Sequence, residues 1–200
     1  MGIGGSPGLG ALTMATPKRR AVFLDRDGVL IETAVRNGKP YAITETDPAI
    51  VIDGVPEACA RLKAAGFLLV LVTNQPDVAR GTTSAGFVER TNNTLKAELG
   101  LDDVRACCHQ ASDQCHCRKP KPGMLTDAAA PMAIDLPASI MVGDRWSDVE
   151  AGRSAGCKTV LIDRRYDEQP ARSPDHVARS LLDAVPWITA VSPENKGYSP

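Results

Sequence analysis

The sequence predicts an α/β fold in which one central parallel sheet of about five strands is covered by helices on both faces. Three observations lead there. Apolar runs such as residues 67–72 are continuous rather than alternating, which marks strands buried on both sides. Helical stretches with their own start and stop residues separate these runs, so the order strand–helix repeats along the chain. The residues that carry chemistry fall directly after the strands, where sheets of this kind bind ligands.

The elements follow in order. Residues 21–24 are an apolar run that stops at Asp25. A helix is expected over 55–65, with Asp53 near its start, Pro56 in its first turn and Gly66 as its stop. The second strand spans 67–72. A helix over 84–99 is ended by Gly100, and a short third strand covers 104–108. Residues 124–132 read as helical, 139–142 as a fourth strand broken by Gly143, 147–155 as a helix stopped by Gly156, 158–162 as a fifth strand and 175–185 as a last helix. The result is a Rossmann-like three-layer sandwich.

Length and composition set the bounds. The chain has 200 residues, 43% of them hydrophobic and 24% charged, which suits one soluble globular domain. Only 4% are aromatic, so aliphatic side chains must fill the core. The net charge of -1 gives no bulk attraction for nucleic acid. No apolar run approaches the roughly 18 residues a bilayer span needs. The first 17 residues hold five glycines and no charged side chain, unlike a secretory signal, and read as a disordered tail; Met14 is an alternative start. The domain is expected over 18–186, with a loose end at 187–200, in the cytoplasm and as a monomer.

Asp25-Arg26-Asp27-Gly28 follows the first strand, Thr73-Asn74-Gln75 the second and Gly143-Asp144 the fourth, with Asp148 four residues on; Arg118-Lys119 lies between the third and fourth. Acids gathered on one sheet edge repel each other and lose hydration unless a cation joins them. Mg2+ suits such carboxylates together with phosphate oxygens, and Asp25 and Asp144 could hold it. With the charge offset, the Asp25 carboxylate could attack a phosphate as a nucleophile. Thr73 and Lys119 could bind the phosphoryl oxygens, and Asp27 could protonate the leaving oxygen and later take a proton from water. Each piece alone has an ordinary explanation, as a loop acid, a turn or a helix cap. Those explanations must all hold at once to remove the pattern.

Asp25-x-Asp27-Gly28, Thr73, Lys119 and Gly143-Asp144-x-x-x-Asp148 together resemble the four motifs of the haloacid dehalogenase superfamily, over about residues 20–165. The resemblance implies an aspartyl-phosphate on Asp25, Asp27 as acid and base, and Mg2+ held by Asp25, the Asp27 carbonyl and Asp144. It places Asp148 nearby, orienting Lys119 or a metal-bound water. The gaps in which members of that superfamily carry a cap domain are too short for one here.

Six cysteines are too few for a disulfide scaffold, and four of them fall within 107–117. Cys107-x-His109 followed by Cys115-x-Cys117 offers three sulfurs and one imidazole, the ligand set of a closed structural zinc site. Cys108 or His116 could replace a neighbour as ligand. Cys59 and Cys157 read as small buried residues.

Capless members with such a zinc loop resemble two phosphatase groups, one acting on D-glycero-D-manno-heptose 1,7-bisphosphate and one on histidinol phosphate. Residues 74–81 and 117–124 are closer to the heptose group, whereas the short 109–115 spacer, Pro76 and the 32–53 segment depart from it. A bisphosphate needs cations away from the scissile phosphate, and Arg80, Arg118 and Lys121 are the candidates, with Asn74 and Gln75 beside them. The expected function is therefore removal of the 7-phosphate from that small phosphorylated sugar, with Mg2+ catalytic and Zn2+ structural. The other readings are a histidinol-phosphate or other sugar-phosphate phosphatase, a phosphotransferase, and a zinc-stabilised interaction module without catalysis.

Overall fold

In strand β1 (Ala21–Leu24) all four side chains are fully buried. Strand alternation sends Val22 and Leu24 into one core and Ala21 and Phe23 into the other. β4 (Leu68–Asn74) divides in the same way, Leu69 and Leu71 to one side and Leu68, Val70 and Val72 to the other. A strand with two apolar faces fits only where layers cover both, and that condition dictates the three-layer arrangement. The structure, a computed structural model, describes residues 17–191; the readings of residues 1–16 and 192–200 as tails lie outside the described residues.

The sheet has six parallel strands rather than about five. Besides β1 and β4 it contains β5 (Asp103–Cys107), β6 (Ile140–Gly143), β7 (Lys158–Ile162) and β8 (His176–Ala178), in the order β5-β4-β1-β6-β7-β8. β1 pairs Ala21 with Leu68 on one side and Leu24 with Val142 on the other. Helices α1 (Val55–Ala64), α3 (Ala85–Leu99) and α6 (Leu181–Val191) cover one face. α4 (Gly123–Ala129) and α5 (Trp146–Ser154) cover the other, with Gly152 of α5 lying against Met141. α3 begins where predicted because the Ser84 hydroxyl accepts the Phe87 N–H, and it ends at Gly100 with φ +62°.

Two readings are corrected. The helix expected over 175–185 is instead strand β8 followed by α6. β8 is three residues long, too short for its sequence to show a strand period, and it pairs Val160 with His176 at the sheet edge. α6 continues through Pro186 to Val191, so residues 187–191 are helix and not part of a loose end. Pro186 lies inside the helix. The β1–α1 segment, unassigned in sequence, forms a hairpin of β2 (Ala34–Arg36) and β3 (Lys39–Tyr41). A short α2 (Asp77–Arg80) follows β4. Neither connection contains a cap domain.

Ile188 is fully buried between α6 and the sheet. Ile188→Ala should therefore lower the unfolding free energy in urea by about 2–5 kcal/mol. A loss below about 0.5 kcal/mol, the size seen at loose surface positions, would return this stretch to a tail.

Candidate active site and metal cluster

β4, β1 and β6 are neighbours at the centre of the sheet, so the segments leaving their carboxyl ends meet. Asp25 and Asp27 leave β1, Thr73 and Asn74 end β4 with Gln75 following, and Asp144 and Asp148 follow β6. Gly28 makes this meeting possible. Its φ is +83°, and a Cβ there would lie 1.9 Å from Asp144 Oδ2. Gly143 is equally constrained, since a Cβ would sit 2.1 Å from the Asp148 Cβ.

Lys119 enters from the loop between β5 and α4 and is 3% exposed. Its ammonium lies 2.7 Å from Asp25 Oδ1 and 2.6 Å from Asp148 Oδ1, and donates to the Val72 carbonyl at 2.8 Å. Burial pulls its pKa down, but the charges of Asp148 and Asp25 outweigh this and hold it above the ordinary lysine range. Asp148 Oδ2 accepts the Arg145 N–H at 3.0 Å and so caps α5. Burial, offset in part by Lys119, pushes Asp148 up to about 6.

Asp25, Asp144 and Asp148 offer carboxylate oxygens that all lie within 4.8 Å of one another. Three acids against one ammonium leave an excess of two negative charges in a buried place. Burial first, then Asp25 and Asp148, raise Asp144 well above the carboxylate range. Asp144 Oδ2 accepts a hydrogen bond from the Tyr166 hydroxyl at 2.8 Å, while Oδ1 is buried and has no hydrogen-bond partner. A hard divalent cation fits this orphaned oxygen and the excess charge.

Asp27 is held differently. The fully buried Arg26 grips its carboxylate from Nε (3.1 Å) and Nη2 (3.2 Å) and bonds Asn92 Oδ1 of α3 at 3.2 Å. Burial raises the Asp27 pKa and Arg26 opposes it, with a net upward shift that suits a group exchanging protons.

Several predicted substrate contacts are engaged with protein instead. The Gln75 amide donates to Asp27 Oδ2 and to Thr73 Oγ1, both at 2.8 Å, so Gln75 is a buried brace and the Thr73 hydroxyl already accepts a bond. Asn74 lines the cavity but clamps the Lys119 backbone, donating to its carbonyl at 3.0 Å and accepting its N–H at 3.1 Å. Lys121 lies away from both cavities at the acids. Its ammonium donates to the Gln114 and Cys115 carbonyls at 2.8 and 2.7 Å and so ties the cysteine loop.

The acids and Lys119 line a cavity of about 60 Å3, which shares Tyr41, Asn74, Lys119 and Arg145 with an outer cavity of about 490 Å3. Arg80 and Arg118 line the outer one, Arg80 paired with Asp77 at 3.0 Å and Arg118 bonded to the His109 carbonyl at 3.2 Å. Lys39, Tyr41, Arg145, Trp146 and Glu168 also line it and were missed in sequence. A signal for the hairpin existed. Asn37-Gly38, with φ of +50° and +74°, is the turn pair that favours a two-residue hairpin. The residues after β7 lie at a strand end like the others, yet their sequence contains no motif.

Cys107, His109, Cys115 and Cys117 bring their ligand atoms together. Sulfur–sulfur distances are 3.1, 3.5 and 3.7 Å, and His109 Nδ1 lies 3.3 Å from Cys117 Sγ and 3.5 Å from Cys107 Sγ. Zinc–sulfur bonds of about 2.3 Å in a tetrahedron need edges of about 3.8 Å, close to this cluster. Burial pushes the Cys107 thiol up to about 12, so a thiolate there needs a cation. His116 bonds Asp127 at 2.7 Å, and Cys108 is outside the cluster.

Residues 116–184 match the family model described as "HAD-hyrolase-like". A protein of Pasteurella multocida named D-glycero-beta-D-manno-heptose-1,7-bisphosphate 7-phosphatase is 38% identical over 82% of this chain and 94% of its own length. One of Burkholderia mallei, named for the alpha anomer, is 33% identical over 88% of this chain and 97% of its own. A crystal structure of the D,D-heptose 1,7-bisphosphate phosphatase from B. bronchiseptica, complexed with magnesium and phosphate, superposes with a TM-score of 0.73 at 28% identity, covering 86% of this chain and 98% of that one. No helix among the described residues is long and apolar enough to cross a membrane.

Two outcomes are expected. Asp148 has a folded-state pKa of about 6 against an unfolded value of 3.8, and Asp144 is also raised. A raised acid stabilises the fold below its unfolded pKa and loses that contribution as pH rises through the folded one. The gain in Tm on adding Mg2+ should therefore be larger at pH 7.5 than at pH 5, by about 2–4 °C for each kcal/mol of charge relief; equal gains at both pH values would contradict it. Separately, Cys117→Ser should reduce bound zinc below one per chain by metal analysis, whereas Cys108→Ser should leave it unchanged.

Proposed function

The chain belongs to the haloacid dehalogenase superfamily of hydrolases, and we propose that it removes the 7-phosphate of D-glycero-D-manno-heptose 1,7-bisphosphate with the help of Mg2+. The observation that carries this is the buried Asp25–Lys119–Asp148 cluster, with Asp144 beside it, at the floor of a cavity that widens into a cationic chamber.

Asp25 and Asp144, with the Asp27 carbonyl, would hold Mg2+, which supplies charge neutralisation for a dianionic phosphate approaching a carboxylate. Lys119 is already fixed beside Asp25 and offsets the charge that gathers on the phosphoryl oxygens. The Asp25 carboxylate forms the new oxygen–phosphorus bond as the bond from phosphorus to the sugar oxygen breaks. Asp27, whose pKa burial raises against the pull of Arg26, gives its proton to that leaving oxygen. It then takes a proton from the water that attacks the aspartyl-phosphate, releasing inorganic phosphate and restoring Asp25.

Bisphosphate specificity is supported by the outer chamber. Lys39, Arg80, Arg118 and Arg145 line it against two acids, Asp77 and Glu168, each already paired with an arginine. Histidinol phosphate carries an ammonium at the corresponding end, and that chamber offers it no unpaired carboxylate. The cysteine cluster would hold Zn2+ with four protein ligands and no open position, as a structural support for the loop that presents Arg118 and Lys119. Thiolate ligands of this kind fit a reducing cytoplasm.

Phosphate release should be measured for both anomers of the heptose bisphosphate, for histidinol phosphate and for heptose 7-phosphate. The bisphosphate is expected to have the highest kcat/KM. Asp25→Asn should lower kcat by about a thousandfold or more; substantial turnover in that variant would refute the nucleophile. Arg118→Ala should lower kcat/KM for the bisphosphate by about 10- to 100-fold, as for a charge-assisted contact, and hardly affect the monophosphate. Equal losses on the two would remove Arg118 from the second phosphate.

A further inference from the structure

We propose that Tyr166 is a positioning residue for the divalent-cation site, holding one oxygen of Asp144 so that the other stays available to the ion. The inference rests on the reading of Asp144 as a Mg2+ ligand given above.

Four observations point to it. The Tyr166 hydroxyl donates to Asp144 Oδ2 at 2.8 Å, and Oδ1 is the buried oxygen without a hydrogen-bond partner. A carboxylate with one oxygen fixed and one open has a defined direction toward a cation, as metal ligands with hydrogen-bonded outer partners do. Room for the contact is built into the opposite wall, since a Cβ on Gly28 would lie 2.9 Å from the Tyr166 oxygen as well as against Asp144. The segment carrying Tyr166 is fastened on both sides of it. Arg164 Nε donates to the Gly28 carbonyl at 2.9 Å, and the Asp167 N–H donates to the Gly38 carbonyl of the hairpin at 2.8 Å. Finally, Tyr166 lines neither cavity assigned to substrate. It lines a neighbouring one of about 350 Å3 that shares Asp144 with the inner cavity and Trp146 and Glu168 with the outer one.

The role also explains why the donor is a hydroxyl. Lysine or arginine at this position would supply the positive charge that the acids otherwise draw from a divalent cation. A neutral donor orients Asp144 without competing for it.

The test is Mn2+ binding to the zinc-loaded full chain without substrate, followed by electron paramagnetic resonance of free Mn2+. Tyr166→Phe keeps the ring and removes only the hydroxyl. Its Mn2+ dissociation constant should rise about 10- to 100-fold, the usual consequence of losing an outer-shell partner. Zinc content and the Tm without added divalent cation should match the wild type, and KM at saturating Mg2+ should be unchanged. Asp144→Asn should weaken Mn2+ binding at least as much. A normal Mn2+ affinity in Tyr166→Phe, with binding lost in Asp144→Asn, would overturn the role of Tyr166 and leave the metal reading intact. Normal affinity in both variants would overturn both.

Discussion

The buried ammonium of Lys119 is the contact on which the rest of the site depends. It pairs with Asp25 and Asp148 and donates to the Val72 carbonyl, and thereby joins the end of β1, β4, α5 and the β5–α4 loop at one point. Removing it would leave carboxylates in a low-dielectric place with no counter-charge, at a cost of several kcal/mol. The surrounding structure is arranged to keep it there. Asn74 clamps its backbone through both the Lys119 carbonyl and N–H, and the cysteine cluster lies just before it in the chain. Lys121 and Arg118, which flank it, bond to carbonyls of the same loop. Zinc would then support the chemistry from a distance, through the geometry of a lysine it never touches.

Two segments do the enclosing work that an added domain would do in a capped relative of this fold. The β2–β3 hairpin brings Lys39 and Tyr41 over the outer chamber, and the segment after β7 brings Glu168 to it and Tyr166 to Asp144. They are joined to each other where the Asp167 N–H meets the Gly38 carbonyl. A Cβ on Gly38 would lie 2.8 Å from the Asp167 side chain, so the close approach needs glycine there. Residues lining the outer chamber and the hydroxyl that bonds Asp144 thus come from one connected collar.

The sheet core and the acids were legible because each has a strong local signature. Continuous apolar runs fixed the central strands within a residue or two, and Asp25 and Asp144 stand at strand ends, Lys119 in the loop before α4 and Asp148 in the first turn of α5. The clustering of Cys107, His109, Cys115 and Cys117 was legible from spacing alone. What failed depended on tertiary pairing. β8 is three residues long and exists because β7 offers an open edge, while α6 passes through a proline because its apolar face packs on α1. Asn74, Gln75 and Lys121 have side chains suited to phosphate, but a sequence does not show that Lys119, Asp27 and the loop carbonyls reach them first. Arg26 was invisible for the opposite reason. An arginine between two aspartates in a turn reads as exposed until its two partners are seen.

Charge arithmetic connects these points. Asp27 has its own cation in Arg26, and Asp25 and Asp148 share Lys119, so the deficit concentrates at Asp144. Its pKa is raised by burial and its acidic neighbours, and its Oδ1 has neither a hydrogen-bond partner nor a cation. Had the protein supplied a second ammonium, the apoprotein would gain stability and the affinity for a divalent ion would fall, because the same carboxylates would be neutral already. The fold instead leaves Asp144 without a cation of its own, and burial keeps its pKa raised. The hydrophobic cores on both faces of the sheet stabilise the scaffold independently of the site. The electrostatic cost is thereby confined to the sheet edge, where a divalent cation would relieve it.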